Sequence, residues 1–97
     1  MRAAVIAYTV NGAILAEKLR HLSDDETDIY VSAKSAKYID AENIITFKST
    51  PALIRDIFYQ YEGIIFIGAA AIAVRSIAPY ITSKFKDPAV LVMDDHA

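Results

Sequence analysis

Residues 64–79 read IIFIGAAAIAVRSIAP. Ile64–Ile67 is apolar at every position, the composition of a strand covered on both faces. Gly68 ends that run. A helix is predicted from Gly68 to about Ala78, and Pro79 interrupts it or starts a second short one. The rest of the chain repeats this strand-to-helix step. Ala3–Tyr8 is another continuous apolar run of strand length. Asn11 follows as a helix N-cap and Gly12 as a tight turn into the helix. Ile14, Leu15, Lys18, Leu19 and Leu22 then recur at helical spacing, up to the acidic turn Ser23–Glu26. Asp28–Ser32 reads as the next strand.

Residues 33–48 carry the weakest pattern, and Ile44–Phe47 reads as a short strand or an extended connection. Ser49 or Thr50 is an N-cap before Pro51 in a first helical turn. Leu53, Ile54, Ile57, Phe58 and Tyr61 form one apolar helix face, and Gly63 marks its stop. Asp87-Pro88 is a turn, and Ala89–Met93 is a last apolar strand. Buried strands alternating with helices predict an α/β fold. The expectation is a three-layer open parallel sheet of about four strands, flavodoxin-like or Rossmann-like, with strand order 2-1-3-4. Residues 1–97 form a single domain. The last predicted strand ends four residues before the chain does, so either the domain is the N-terminal part of a longer protein or another subunit covers that strand.

Composition excludes several classes. Ten Lys plus Arg stand against twelve Asp plus Glu, for a net charge of −2, and the basic residues are scattered. That argues against a nucleic-acid binder. There is no cysteine, which removes disulfides, thiolate-held metals and a catalytic thiol. No apolar run approaches a membrane span, and MRAAVIAYTV lacks the length and cleavage site of a signal peptide, so a cytoplasmic location is expected. The nucleotide loops and hydrolase motifs GxGxxG, GxxxxGK[ST], HExxH and GxSxG are absent.

The remaining candidates gather where strands end. The strand-to-helix turn at Gly68, Ala69 and Ala70 puts free backbone N–H groups at the carboxyl edge of a parallel sheet. It suits either an anion or simply tight helix–sheet packing. Arg75 lies alone in an apolar helix and fits either a ligand carboxylate or an internal pair with Asp87 or Asp94. Asp94 and Asp95 close the last strand at the same edge, as a general base, a metal-holding pair or a solvated loop. Tyr8, Thr9, Asn11 and Gly12 lie at the end of the first strand and line that edge too. His21 and His96 have no partner at ligand spacing, so no metal site is expected.

Residues 66–97, FIGAAAIAVRSIAPYITSKFKDPAVLVMDDHA, resemble a stretch of the cobalamin biosynthesis protein G family. That family carries F-I-x-A-x-G-I-A-V-R-x-I-A-P and then K-x-x-D-P-A-V-V-V-x-D-E. Phe66, Ile67, Ala69, Ile72, Ala73, Val74, Arg75, Ile77, Ala78 and Pro79 match the first pattern, and Lys84, Asp87, Pro88, Ala89, Val90 and Asp94 match the second. Thr9, Gly12, Leu15, Ala16, Lys18 and Leu19 fit an early pattern of the family, while residues 28–62 agree only in hydropathy. Ala71 stands where the family has Gly, which crowds the start of the helix.

The resemblance implies the N-terminal domain of a cobalt-precorrin-5A hydrolase of anaerobic vitamin B12 synthesis. Such an enzyme opens the δ-lactone of the macrocycle and releases acetaldehyde. It implies a corrinoid substrate that carries its own cobalt, no further cofactor, and a C-terminal domain without which the isolated domain is inactive. Under it Asp94 and Asp95 are candidate catalytic bases. Thr9, Gly12, Gly68, Ala69, Ala70, Arg75 and Lys84 are candidate substrate contacts. The alternative is a non-catalytic module for ligand binding or homodimerisation.

Overall fold

The computed structural model describes residues 2–22, 26–39, 43–81 and 87–95. The elements run β1 Arg2–Ala7, α1 Val10–Leu22, β2 Glu26–Ser32, α2 Ala33–Ala36, β3 Ile44–Phe47, α3 Thr50–Ile57, β4 Gly63–Ile67, α4 Ala70–Ile77 and β5 Ala89–Met93. A 3-10 turn over Ala78–Tyr80 carries Pro79 directly behind α4. The five strands form one sheet in the order β3-β2-β1-β4-β5, every pair parallel.

The expected α/β architecture is present, with one strand more than the sequence pattern gave. β2-β1-β4-β5 is the predicted 2-1-3-4 order, and Ile44–Phe47 adds a four-residue strand outside β2. That strand pairs with Ile29–Ser32 and sits at a sheet edge with Ile45 and Thr46 exposed, so its sequence has neither a buried run nor a clean alternation.

Two apolar clusters sandwich the sheet. Ala13 and Ala16 of α1 pack with Val5, Ala7, Ile29, Val31 and Ile67 on one face. Ile54 and Ile57 of α3, Phe58 at its C-cap and Ala73 of α4 pack with Ala4, Ile6, Tyr30, Phe47, Ile64 and Phe66 on the other. This division follows from right-handed crossovers. The chain steps from β1 outward to β2 and β3 on one side of the sheet. It then returns past β1 to β4 and β5, which places α3 and α4 on the opposite face.

Three local readings change. The cap of α1 is Thr9, not Asn11: the Gly12 N–H donates to Thr9 Oγ1 at 2.9 Å and the Ala13 N–H to the Thr9 carbonyl at 2.9 Å. Asn11 is exposed inside the first turn. Gly12 is a buried packing position and not a turn. A Cβ there would sit 3.1 Å from Thr9 Oγ1 and 3.4 Å from both Ala7 Cβ and Ile67 Cγ2. Gly63 is the first residue of β4, paired with Ala3 and Ala89, and not a helix stop. Ser49 is the α3 cap, its Oγ accepting from the Ala52 N–H at 3.4 Å, with Pro51 in the first turn.

Candidate functional site

β1 and β4 are neighbours whose following helices diverge to opposite faces of the sheet. Their carboxyl ends therefore frame a topological switch point, where open α/β sheets leave a crevice. Thr9 stands at the end of β1, and Gly68 and Ala69 at the end of β4. The backbone at Gly68 and Ala69 is left-handed in succession, with φ of 82° and 53°. Gly68 takes that conformation freely. Ala69 carries a Cβ in it, at a cost of about 1–2 kcal/mol. The pair of turns lets β4 break directly into α4, while the Gly68 N–H donates to the Met93 carbonyl at 2.7 Å and holds the end of β5 alongside.

Asp95 crosses this junction. Thr9 Oγ1 donates to Asp95 Oδ2 at 2.9 Å, and a Cβ built on Gly68 would lie 3.7 Å from the Asp95 carboxyl. Gly68, Ala69, Ala70, Val92, Met93, Asp94 and Asp95 line a cleft of about 390 Å³ there. Ala69 offers α4 no side-chain cap, unlike Thr9 for α1 and Ser49 for α3. Asp94 is exposed and Asp95 half-buried. Gly68, Ala69, Ala70, Asp94, Asp95 and Thr9 are thus brought together. The Gly12 N–H is already bonded to Thr9.

Arg75 is placed elsewhere. It is exposed, its Nε donates to the Ala71 carbonyl at 3.3 Å, and among the described residues it makes no ion pair. The internal pairing with Asp87 or Asp94 does not form. Arg75 instead lines a separate groove of about 350 Å³ between α3 and α4 with Pro51, Ile72, Ser76, Pro79 and Tyr80. Ala71 is exposed in the first turn of α4, so the methyl that replaces the family's Gly points into no packed neighbour of the sheet. Lys84 and His96 lie outside the described residues. His21 is exposed on α1, 3.6 Å from Glu17.

The sequence pattern missed a polar pair on the other side of the switch point. The Tyr8 and Thr50 hydroxyls are 2.9 Å apart, and Ser35 Oγ donates to the Tyr8 carbonyl at 2.7 Å. The Tyr8 ring meets Phe47 edge-on at 5.6 Å. Burial pushes the Tyr8 hydroxyl above its ordinary pKa, partly offset by the bond to Thr50. Tyr8 was legible as a strand end, but a partner 42 residues away leaves no mark on local pattern.

The fold and this crevice define the class: a doubly wound parallel α/β domain with a ligand-sized cleft at its switch point. Residues 52–97 match the family described as Cobalamin synthesis G N-terminal. The chain is 37% identical over 94 residues to a cobalt-precorrin-5A hydrolase of Priestia megaterium and 34% identical over 93 residues to one of Salmonella typhimurium. Each match takes in 95% of this chain and 25% of the relative, so the chain spans about a quarter of their length. A crystal structure of a cobalamin biosynthesis protein G homologue from Sulfolobus solfataricus superposes with a TM-score of 0.63 at 26% identity, covering 97% of this chain and 26% of that one. These matches bear out the family read from residues 66–97: the chain is an N-terminal domain of the cobalamin synthesis G family.

Proposed function

We propose that this chain is the N-terminal part of a cobalt-precorrin-5A hydrolase. The observation that carries the reading is its alignment, nearly end to end, with two hydrolases of that name. The reaction adds water to a lactone carbonyl, opening the ring to a carboxylate and an alcohol. Cleavage of the carbon–carbon bond beside that alcohol releases it as acetaldehyde and leaves a proton on the macrocycle. The chemistry asks for a base to activate water and for donors to the oxyanion. Asp94 and Asp95 supply carboxylates at the crevice. The first N–H groups of α4, which no side chain caps, face the same cleft and suit an oxyanion or a substrate carboxylate. Arg75 and Lys84 serve the substrate's outer carboxylates. The cobalt arrives with the substrate and the chain needs no cofactor of its own.

The second half of the site comes from the remaining three quarters of the enzyme. β5 supports this. It is an edge strand of sequence AVLVM with Leu91 55% exposed, and it has the composition of an interior strand. A further domain packed there encloses the crevice. No helix among the described residues is long and apolar enough to cross a membrane, which suits a cytoplasmic enzyme. Incubating the full-length protein with cobalt-precorrin-5A and assaying acetaldehyde tests the reading. Release in step with substrate loss supports it, and binding without release leaves the domain a non-catalytic module.

A further inference from the structure

Resting on that reading, we infer that Asp95 is the carboxylate that activates water and that Thr9 is the residue that positions it. The two acids differ in exposure. Asp94 is exposed at the end of β5. Asp95 is drawn across the end of β4 until its carboxyl lies against Gly68, and Thr9 Oγ1 donates to its Oδ2 at 2.9 Å. The direction of that bond is set by the carboxylate, which can only accept. Thr9 Oγ1 at the same time accepts the Gly12 N–H at 2.9 Å, so one hydroxyl serves both partners.

A relay therefore runs from the first turn of α1 through one hydroxyl to Asp95. Thr9 is half of the arrangement and Gly12 is the other half. A Cβ at position 12 would sit 3.1 Å from the hydroxyl and push it out of line. The family resemblance made both residues candidate substrate contacts. The geometry gives them different work, holding the base at the crevice in one orientation while the substrate meets Asp95 itself.

Steady-state acetaldehyde release by the full-length protein tests this with Thr9→Val, Thr9→Ser and Asp95→Asn. Asp95→Asn is expected to lower kcat by about 10²-fold or more, the usual worth of a general base. Thr9→Val keeps the shape and loses the hydroxyl, and is expected to lower kcat roughly tenfold or more through misplacement of the base, with KM within about twofold of wild type. Thr9→Ser restores the hydroxyl and returns kcat to within about threefold of wild type. Thermal unfolding confirms that each variant is folded at the assay temperature. If Thr9→Val does not fold, Asp95→Asn and Thr9→Ser decide the matter. A rise in KM with kcat unchanged makes Thr9 a substrate contact and overturns the positioning role. Full turnover by Asp95→Asn overturns the choice of base while the hydrolase reading stands. No acetaldehyde from the wild-type protein removes the hydrolase reading and this inference with it.

Discussion

At the scale of single residues, backbone conformation divides neighbours that composition treats alike. Gly68 and Ala69 both adopt positive φ, yet only the first has no Cβ. Gly68→Ala is expected to destabilise the fold by about 1–2 kcal/mol. Ala69→Gly relieves a strained residue and is expected to be neutral or stabilising by up to about 1 kcal/mol, with opposite signs read from chemical denaturation. A similar contrast holds at the amino edge of the sheet. The Tyr61 hydroxyl donates to Asp28 Oδ2 at 2.6 Å, meets the Tyr30 hydroxyl at 2.7 Å, and its ring lies under the Arg2 guanidinium at 4.7 Å. Tyr61→Phe leaves Asp28 and Tyr30 short of a partner and is expected to cost about 1–2 kcal/mol, measured by the denaturation midpoint. Burial, and then the bonds to Asp28 and Tyr30, hold the Tyr61 hydroxyl well above its ordinary pKa, and burial raises that of Tyr8. A group whose folded pKa is raised stabilises fully below its unfolded value and loses that contribution as pH climbs above it. Stability is therefore expected to fall as pH rises past about 10, and less steeply in Tyr61→Phe. Residue identity made Tyr61 legible as apolar and buried, but α3 ends at Ile57 and Tyr61 lies in the loop behind it, and its hydroxyl network, drawn from two strands and that loop, was not legible.

Among the elements, α3 was the most legible because its signals agree. Ser49 caps it, Pro51 fits its first turn, and Ile54, Ile57 and Phe58 recur on the face that the sheet buries. Ile54 is fully buried, so Ile54→Ala is expected to cost about 2–5 kcal/mol. Ser49→Ala, at a long 3.4 Å cap bond, should cost nearer 0.5 kcal/mol, both read from thermal unfolding. β1, β4 and β5 were legible for the same reason that they are central or apolar on both faces. β3 was not, since an edge strand of four residues with Ile45 and Thr46 in water carries half the usual pattern. The cap of α1 was misplaced by two residues because Thr and Asn are both good caps. The choice between them was made by where β1 ends, and Thr9 has the hydroxyl within reach of Gly12.

At the scale of the whole molecule, the sheet is covered unevenly. α1 lies over β1 and β2, α3 and α4 cover the opposite face, and Leu91 on β5 stays open on the α1 side. In the full-length protein Leu91→Lys is expected to destabilise by about 1.5–3 kcal/mol if a further domain covers that face, and to change stability by less than about 0.5 kcal/mol if it remains in water. Local pattern along the chain was enough to read the class of fold, the order of the main strands and the family. Those depend on local hydropathy, on the glycines and prolines at element ends, and on the long pattern from Phe66 to Asp94. Which candidate residues share a site was settled by the packing of the sheet. Thr9 and Asp95 are 86 residues apart and meet because β1, β4 and β5 lie side by side in one parallel sheet. Arg75, seven residues from Gly68, is carried away to the α3–α4 groove by the turn of its own helix. Sequence distance orders the elements, but the register of the sheet and the rotation of a helix set which side chains face one another, and neither is a local property of the chain.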